Sequence, residues 1–489
     1  MPASGEGLSV IRTLPQKRLR LTANAHPYLP NATDDVRAKM LKEIGIDSVE
    51  ALYSDIPQEI RVAKPLSIES YSSEQEVLAH IESLLSQNKS AKDDSVFIGA
   101  GTYNHYIPAV VKAITSRTEF QTSYTPYQAE ISQGLLQGLF EFQSLMCDLA
   151  GVDVVNSSLY DSPSAVGEAA RMSARVNGRR KILVPNCLHP DKLSVIRNYA
   201  EPAGIRVERY GYDYDTGGID LNDFQRKLDS ETSAAYVEVP SFFGLLDSTV
   251  TDVPAICHAR GALAIVGFDP ISLGGIKPPG EYGADIVVAE GQSIATEMNY
   301  GGPSLGIIGC QGEALTRQMP GRLIGMTTTI DGQDRAFSMV LQTREQHIRR
   351  ERATSNICTN EALLALGAAT YMCLMGPSGL NQLFKTILTK TQYAIEKLRT
   401  NRSLKVPRFK GTHYQDFVVT LKSPNPSAKS LQEKVLTRGI QCGKNLSEAF
   451  PELGQSILVS ISELNSQESI DQLVSALGEA MEEKVLEAA

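Results

Sequence analysis

The chain has 489 residues, 42% of them hydrophobic and 21% charged, which is the composition of a folded protein and not of a disordered or fibrous one. A formal net charge of -9 argues against non-specific binding to nucleic acid or anionic lipid, and no apolar run approaches the roughly 20 residues that a membrane span needs. The length points to two or three domains, and the seven cysteines (147, 187, 257, 310, 358, 373, 442), scattered and without a Cys-x-x-Cys pair or a His at metal-ligand spacing, read as reduced core residues of a cytoplasmic protein with no metal site.

Residues 1–27 carry Arg12, Lys17, Arg18 and Arg20 against one acid, Glu6, and read as an N-terminal extension without the apolar core of a secretory signal. Residues 28–96 read as a helical segment. Val36, Met40, Leu41 and Ile44 recur at helical spacing over 33–44, with Gly45 as a stop. Short helices over 48–54 and 73–86 follow, then a solvated connector at 89–94.

A large domain is predicted over 97–376. It begins FIGAGTYNHYIP, where Tyr103, Asn104, His105 and Tyr106 crowd a loop ahead of Pro108, either as hydrogen-bonded structure or as a site. In YTPYQAEISQGLLQGLFEFQSLMCDLAG, Thr125 and Gln128 have capping-box spacing, Pro126 suits the first helical position and Gly151 the stop. That helix is expected to bury Ile131, Leu135, Leu139, Phe142, Leu145, Met146 and Leu149, and to present Tyr127, Gln128, Glu130 and Ser132 in its first turn. A second helix, 162–178, has Ser162 as its expected cap; its free N–H groups offer an anion site, or simply an ordinary capped helix.

Strands and helices then alternate. Strands at 181–185, 205–209, 234–239 and 262–268 are separated by helices at 191–202, 220–229 and 252–260, which predicts a mostly parallel sheet with helices on both faces. The carboxyl-end rule for such sheets gathers Asp161, His189, Ser241, Asp269 and Gln292 around one crevice. The next strand, 284–289, ends in a polar turn holding Glu290, Gln292 and Ser293, followed by a Gly-Gly-Pro bend and a second apolar strand. The turn has no lysine, and none occurs from Pro278 through Phe384. Residues 333–352 are charge-rich, with Arg349, Arg350 and Arg352 reading as a solvated helix face, and the polar run Thr354, Ser355, Asn356, Thr359, Asn360 reads as a loop that meets something polar. A smaller α+β domain is predicted over 377–489, with a helix to about Arg399, strands at 416–421 and 457–461 and helices at 427–437 and 467–486.

The runs FIGAGTYNHYIP, YTPYQAEISQG, SSLYD, FDPISLGGIKPPGEYGADIVVAEGQS, GGPSLG and RRERATSNICTNEAL resemble the P-protein family of the glycine cleavage system, in its form split over two chains and as the first, α, chain. The resemblance covers roughly residues 28–486. It implies an α/β type I pyridoxal-phosphate-dependent transferase fold, and an oxidoreductase that decarboxylates glycine and passes the aminomethyl group to the lipoyl arm of the H-protein. The family's cofactor-bearing chain has a His-Lys pair where this one reads Gln292-Ser293, and a serine hydroxyl cannot form a Schiff base. Pyridoxal phosphate is therefore expected on a second subunit in an α2β2 assembly, with this chain inactive alone. In this fold the active site lies at a subunit interface, so the resemblance implies contributions from Asn104, His105 and Glu130 to catalysis, from Thr354, Ser355 and Asn356 to the partner's cofactor phosphate, and from Tyr103, Tyr127 and Gln128 to substrate. The same motifs could instead build only the interface. The run SPS after Asp161, and Glu297, depart from the expected family pattern at the anion pocket.

Two other readings stand beside this one. A self-sufficient pyridoxal-phosphate enzyme would need Lys277, which precedes the strand and so reaches the crevice from the wrong end. A structural or regulatory partner would only stabilise a catalytic subunit.

Overall fold

The computed structural model describes residues 28–29, 33–62, 67, 73–122, 126 and 128–487, so the extension 1–27, the predicted cap Thr125 and the site candidate Tyr127 lie outside them. The chain divides into two units, Met1–Gln87 and Asn88–Ala489. In the first, the helix Asp34–Ile44 ends at Gly45, whose positive φ of 82° lets its N–H turn back to the Leu41 and Lys42 carbonyls. The helix Glu74–Leu85 starts with a reciprocal capping box between Ser73 and Glu76.

The second unit is built on a seven-stranded sheet. Its strands are β2 (Val154–Val155), β3 (Lys181–Pro185), β4 (Arg206–Tyr210), β5 (Thr232–Val239), β6 (Leu263–Phe268), β7 (Ile286–Glu290) and β8 (Gly306–Cys310), ordered β2-β8-β7-β6-β5-β3-β4. Pairings from β4 to β7 are parallel, and β8 and β2 close one edge antiparallel. Successive strand residues face opposite sides, so each strand supplies two cores. Leu183, Ala235, Val237, Val266, Val287 and Ile307 pack with the helices Gln133–Ala150 and Ala362–Arg399. Ile182, Ala234, Tyr236, Ile265, Ile286 and Ile308 pack with Ser162–Asn177 and Pro190–Ala200 on the other side.

Four features differ from the sequence expectations. The helix predicted from Pro126 begins at Gln133, after a 3-10 turn over Ala129–Ile131, and Ile131 is exposed instead of buried. The helix from Ser162 is capped by Asp161, whose Oδ1 accepts the Ser164 N–H at 2.7 Å, so the cap lies one residue earlier than expected. A hairpin of β9 (Leu323–Thr328) and β10 (Arg335–Val340) occupies a stretch that carries no alternating apolar pattern; the Gln133 amide fastens it through both the N–H and the carbonyl of Phe337. Finally, Cys358 and Cys373 are exposed and Cys147 only partly buried, so four of the seven cysteines, 187, 257, 310 and 442, are buried residues.

In the C-terminal part, β11 (Leu404–Lys405), β12 (Asp416–Leu421), β14 (Lys444–Asn445) and β15 (Ser456–Ser460) form an antiparallel sheet ordered β11-β12-β15-β14. The short β1 (Ser95–Val96) pairs in parallel with β13 (Ile440–Gln441), and Phe97 is wholly buried in the C-terminal core. The 38-residue helix Ala362–Arg399 runs from one part to the other. Gly376 breaks its helical path (φ 58°, ψ -177°) just before Pro377, which lacks the N–H and disfavours a helical residue ahead of it. This helix is long and apolar enough to cross a membrane by length and composition, yet Leu364, Ala365, Leu366, Ala368 and Ala369 face the sheet core.

Candidate functional site

The carboxyl ends of β5, β6 and β7 open into a cavity of about 310 Å³. Asp161, His189, Ser241, Asp269 and Gln292 all line it, so the crevice read from strand order is present with all five of its residues. Local causes place each one. Asp161 is held close because Gly306 on β8 has no Cβ; an added one would lie 2.5 Å from the Asp161 carbonyl oxygen. His189 caps the helix Pro190–Ala200, its Nδ1 accepting the Asp191 N–H at 3.1 Å, and its ring meets Phe242 edge-on at 5.4 Å. Burial, and then the nearby Lys444, hold the His189 pKa below its usual value.

At the end of β7 the side chains serve the backbone. The buried Glu290 carboxylate accepts three main-chain N–H groups, those of Ser162 (3.0 Å), Gln292 (3.0 Å) and Leu305 (2.8 Å). Burial raises its pKa and those three donors pull it back. The Gln292 amide donates to the Thr296 carbonyl at 2.7 Å and accepts the Tyr103 N–H at 3.1 Å. Ser293 is 2% exposed, and its Oγ has no hydrogen-bond partner among the described residues. Asp269, at the end of β6, accepts the Ser272 N–H at 2.7 Å, and burial pushes its carboxyl up.

The candidate residues named from the motifs fall in three places. Tyr103 lines the cavity, and its hydroxyl donates to Asp416 Oδ2 at 2.8 Å, joining the large and C-terminal parts. Asn104 is partly buried beside it. His105 is 2% exposed and is not part of the cavity wall: Nδ1 pairs with Glu463 at 2.7 Å, and Nε2 lies 3.1 Å from the Gln415 amide nitrogen. The Tyr106 N–H also donates to Glu463, at 2.6 Å, so this loop is stitched to the C-terminal domain. Gln128 and Glu130 are exposed around the 3-10 turn and do not line the cavity. In the third place, the Ser355 hydroxyl donates to Glu168 Oε1 at 2.7 Å, Thr354 is partly buried and Asn356 is exposed.

Motif reading misses Lys192, Tyr236 and Glu238, which also line the cavity. The Lys192 ammonium bonds to Glu238, and the Tyr236 hydroxyl donates to the same carboxylate at 2.6 Å. The signal was available: Tyr236 and Glu238 are two apart on β5, hence on one face, and Lys192 follows the His189-Pro190 cap. Lys277 is exposed on the loop leading into the amino end of β7 and is not part of the cavity wall.

Asp416 gives this region a pH signature. Burial pushes its carboxyl up to about 7 from 3.8, so the folded chain takes up a proton that the unfolded chain does not hold between those values. Its contribution to stability is full below the unfolded pKa and is lost as pH rises through about 7. Denaturation of Asp416→Asn followed from pH 4 to pH 8 is expected to lack this fall, making the variant gain on the native chain as pH rises.

The family model described as glycine cleavage system P-protein matches residues 26–477. The chain is 45% identical to a probable glycine dehydrogenase (decarboxylating) subunit 1 of Staphylothermus marinus, covering 94% of this chain and 99% of that one. It is 44% identical to the protein of the same description from Pyrococcus abyssi, over 94% and 100% of the two chains. Among solved structures, the inhibitor-bound glycine decarboxylase (P-protein) of the glycine cleavage system superposes with a TM-score of 0.81 at 33% identity, covering 92% of this chain and 98% of that one. A NifS-like protein, at 15% identity and a TM-score of 0.58, shares the fold.

Proposed function

The chain belongs to the glycine cleavage system P-protein family, and from that premise we propose that it is subunit 1 of a split glycine dehydrogenase (decarboxylating) whose pyridoxal phosphate resides on a second subunit. Its fold is that of type I pyridoxal-phosphate enzymes. The single observation that carries the proposal is Ser293, which follows the carboxyl end of β7 and puts a hydroxyl, not a lysine amine, at that point of the cavity wall. The other groups present do not fit the cofactor either. Lys192 is bonded to Glu238, and Lys277 lies outside the cavity. The helix Ser162–Asn177 has its first N–H groups taken by the Asp161 and Glu290 carboxylates, so a phosphate arriving there would meet two anions instead of free donors.

With subunit 2, arranged as α2β2, the complex decarboxylates glycine and delivers the aminomethyl group to the lipoylated H-protein. Of the motif residues, Asn104, Gln128, Glu130, Thr354 and Asn356 keep side chains free of the bonds that hold His105 and Ser355, and are the ones to meet the partner's site. His105 and Ser355 act as positioning residues, fixing the loops that carry the others.

Reconstitution tests this reading. Glycine–bicarbonate exchange is expected from this chain mixed with a subunit 2 chain and H-protein, and from neither subunit alone. Asn104→Ala and Asn356→Ala are expected to lower exchange at least about tenfold with the complex intact. Unchanged turnover in both would confine these motifs to assembly, and exchange by this chain alone would refute the proposal.

A further inference from the structure

The crevice keeps its volume but is lined by the wrong charge for a phosphate ester. Asp161, Asp191, Glu238, Asp269 and Glu290 face it, against one ammonium, Lys192, which Glu238 already engages. His189 adds no charge near neutral pH, since its Nδ1 accepts an N–H and burial holds it below the usual imidazole range. Such a lining disfavours anions and concentrates cations. Among the described residues no group of three or more His, Cys, Asp or Glu side chains is placed to hold a metal ion, so these carboxylates do not form a metal centre.

Ser293 points to what the crevice receives. Its hydroxyl oxygen is buried in the cavity wall with no partner among the described residues, and an unpaired buried hydroxyl is destabilising unless a ligand or water satisfies it. Asp269 accepts the Ser272 and Ile271 N–H groups, and a carboxylate has about four lone-pair sites, so capacity remains toward the cavity. A hydroxyl and a carboxylate with spare lone pairs suit a donor that carries several N–H bonds and a positive charge. Pro240, Phe242, Phe268 and Val288 complete the wall with apolar surface for a short alkyl group. We propose that this crevice binds a small primary ammonium ion, with its N–H groups on the Asp269 carboxylate and the Ser293 hydroxyl. The chain would then hold an amine-binding site of its own, independent of what the assembled enzyme catalyses.

A ligand-observed NMR titration of the full-length chain tests the site with methylammonium chloride, tetramethylammonium chloride and inorganic phosphate as probes. Methylammonium is expected to bind saturably at millimolar concentration, tetramethylammonium, which has no N–H donor, at least about tenfold more weakly, and phosphate not at all. Ser293→Ala is expected to weaken methylammonium about fivefold and Asp269→Asn about tenfold or more. Ser293→Lys places a tethered ammonium in the same space and is expected to abolish binding while the melting temperature holds; it decides the matter if Asp269→Asn does not fold. Saturable phosphate binding, equal affinity for the two ammonium ions, no methylammonium binding, or undiminished binding in Ser293→Lys would each overturn the proposal.

Discussion

Glu290→Ala is expected to destabilise the chain by roughly 3–5 kcal/mol, because it strips the acceptor from three buried main-chain N–H groups, each costing about 1–3 kcal/mol when left unpaired. Those donors belong to three separate segments: the start of the helix Ser162–Asn177, the turn after β7 and the residue that leads into β8. One carboxylate thus ties two strands and a helix together at the crevice floor. Glu290→Gln is the informative companion. It retains one carbonyl oxygen but turns an amide N–H toward at least one of the same donors, so about half of the loss is expected. Chemical denaturation measures both; variants as stable as the native chain would mean that water replaces the carboxylate and that the helix N-terminus stays open to anions.

His105→Ala is expected to cost about 2–4 kcal/mol, because it leaves both the Glu463 carboxylate and the Gln415 amide short of a hydrogen-bond partner in a largely buried setting. His105 is 2% exposed, and its loss leaves the Glu463 carboxylate with backbone donors, the Tyr106 N–H among them, and no side-chain partner among the described residues. Burial works to raise the Glu463 pKa, yet the His105 bond and the Tyr106 N–H hold it below its usual value. Its contribution to stability is therefore present above the unfolded carboxylate pKa and lost as pH falls. The difference between native chain and His105→Ala should accordingly be larger at pH 7 than at pH 4, and a difference independent of pH would contradict the pairing. In the reconstituted complex, this variant loses exchange through a displaced 100–108 loop, which chemical cross-linking of the loop to the C-terminal domain would report.

Much of this architecture is legible in the sequence because the sheet obeys local rules. Strands covered on both faces are continuous apolar runs, and the alternation from 181 to 268 fixes the parallel order that brings Asp161, His189, Ser241, Asp269 and Gln292 together. The departures have equally physical reasons. Pro126 and the Thr125–Gln128 spacing look like a helix start, but Ile131 is exposed and of the turn Ala129–Ile131 Ala129 alone packs against the core, so the helix waits for Gln133. The β9–β10 hairpin is fastened by a side-chain amide 204 residues away, which no local pattern encodes. His105 looks like a site residue because it sits in a run of four polar side chains, 103–106, yet its partners Gln415 and Glu463 come from the far end of the chain. The Glu290 plug escapes notice for the same reason: a glutamate at a strand end looks available to a ligand until its backbone donors are counted.

Borohydride reduction of the assembled complex in the presence of pyridoxal phosphate, followed by mass mapping of both chains, locates the lysine that carries the cofactor. One cofactor adduct per heterodimer is expected, on a lysine of subunit 2, with no stoichiometric adduct anywhere on this chain. A stoichiometric adduct on Lys192 or Lys277 would contradict that placement.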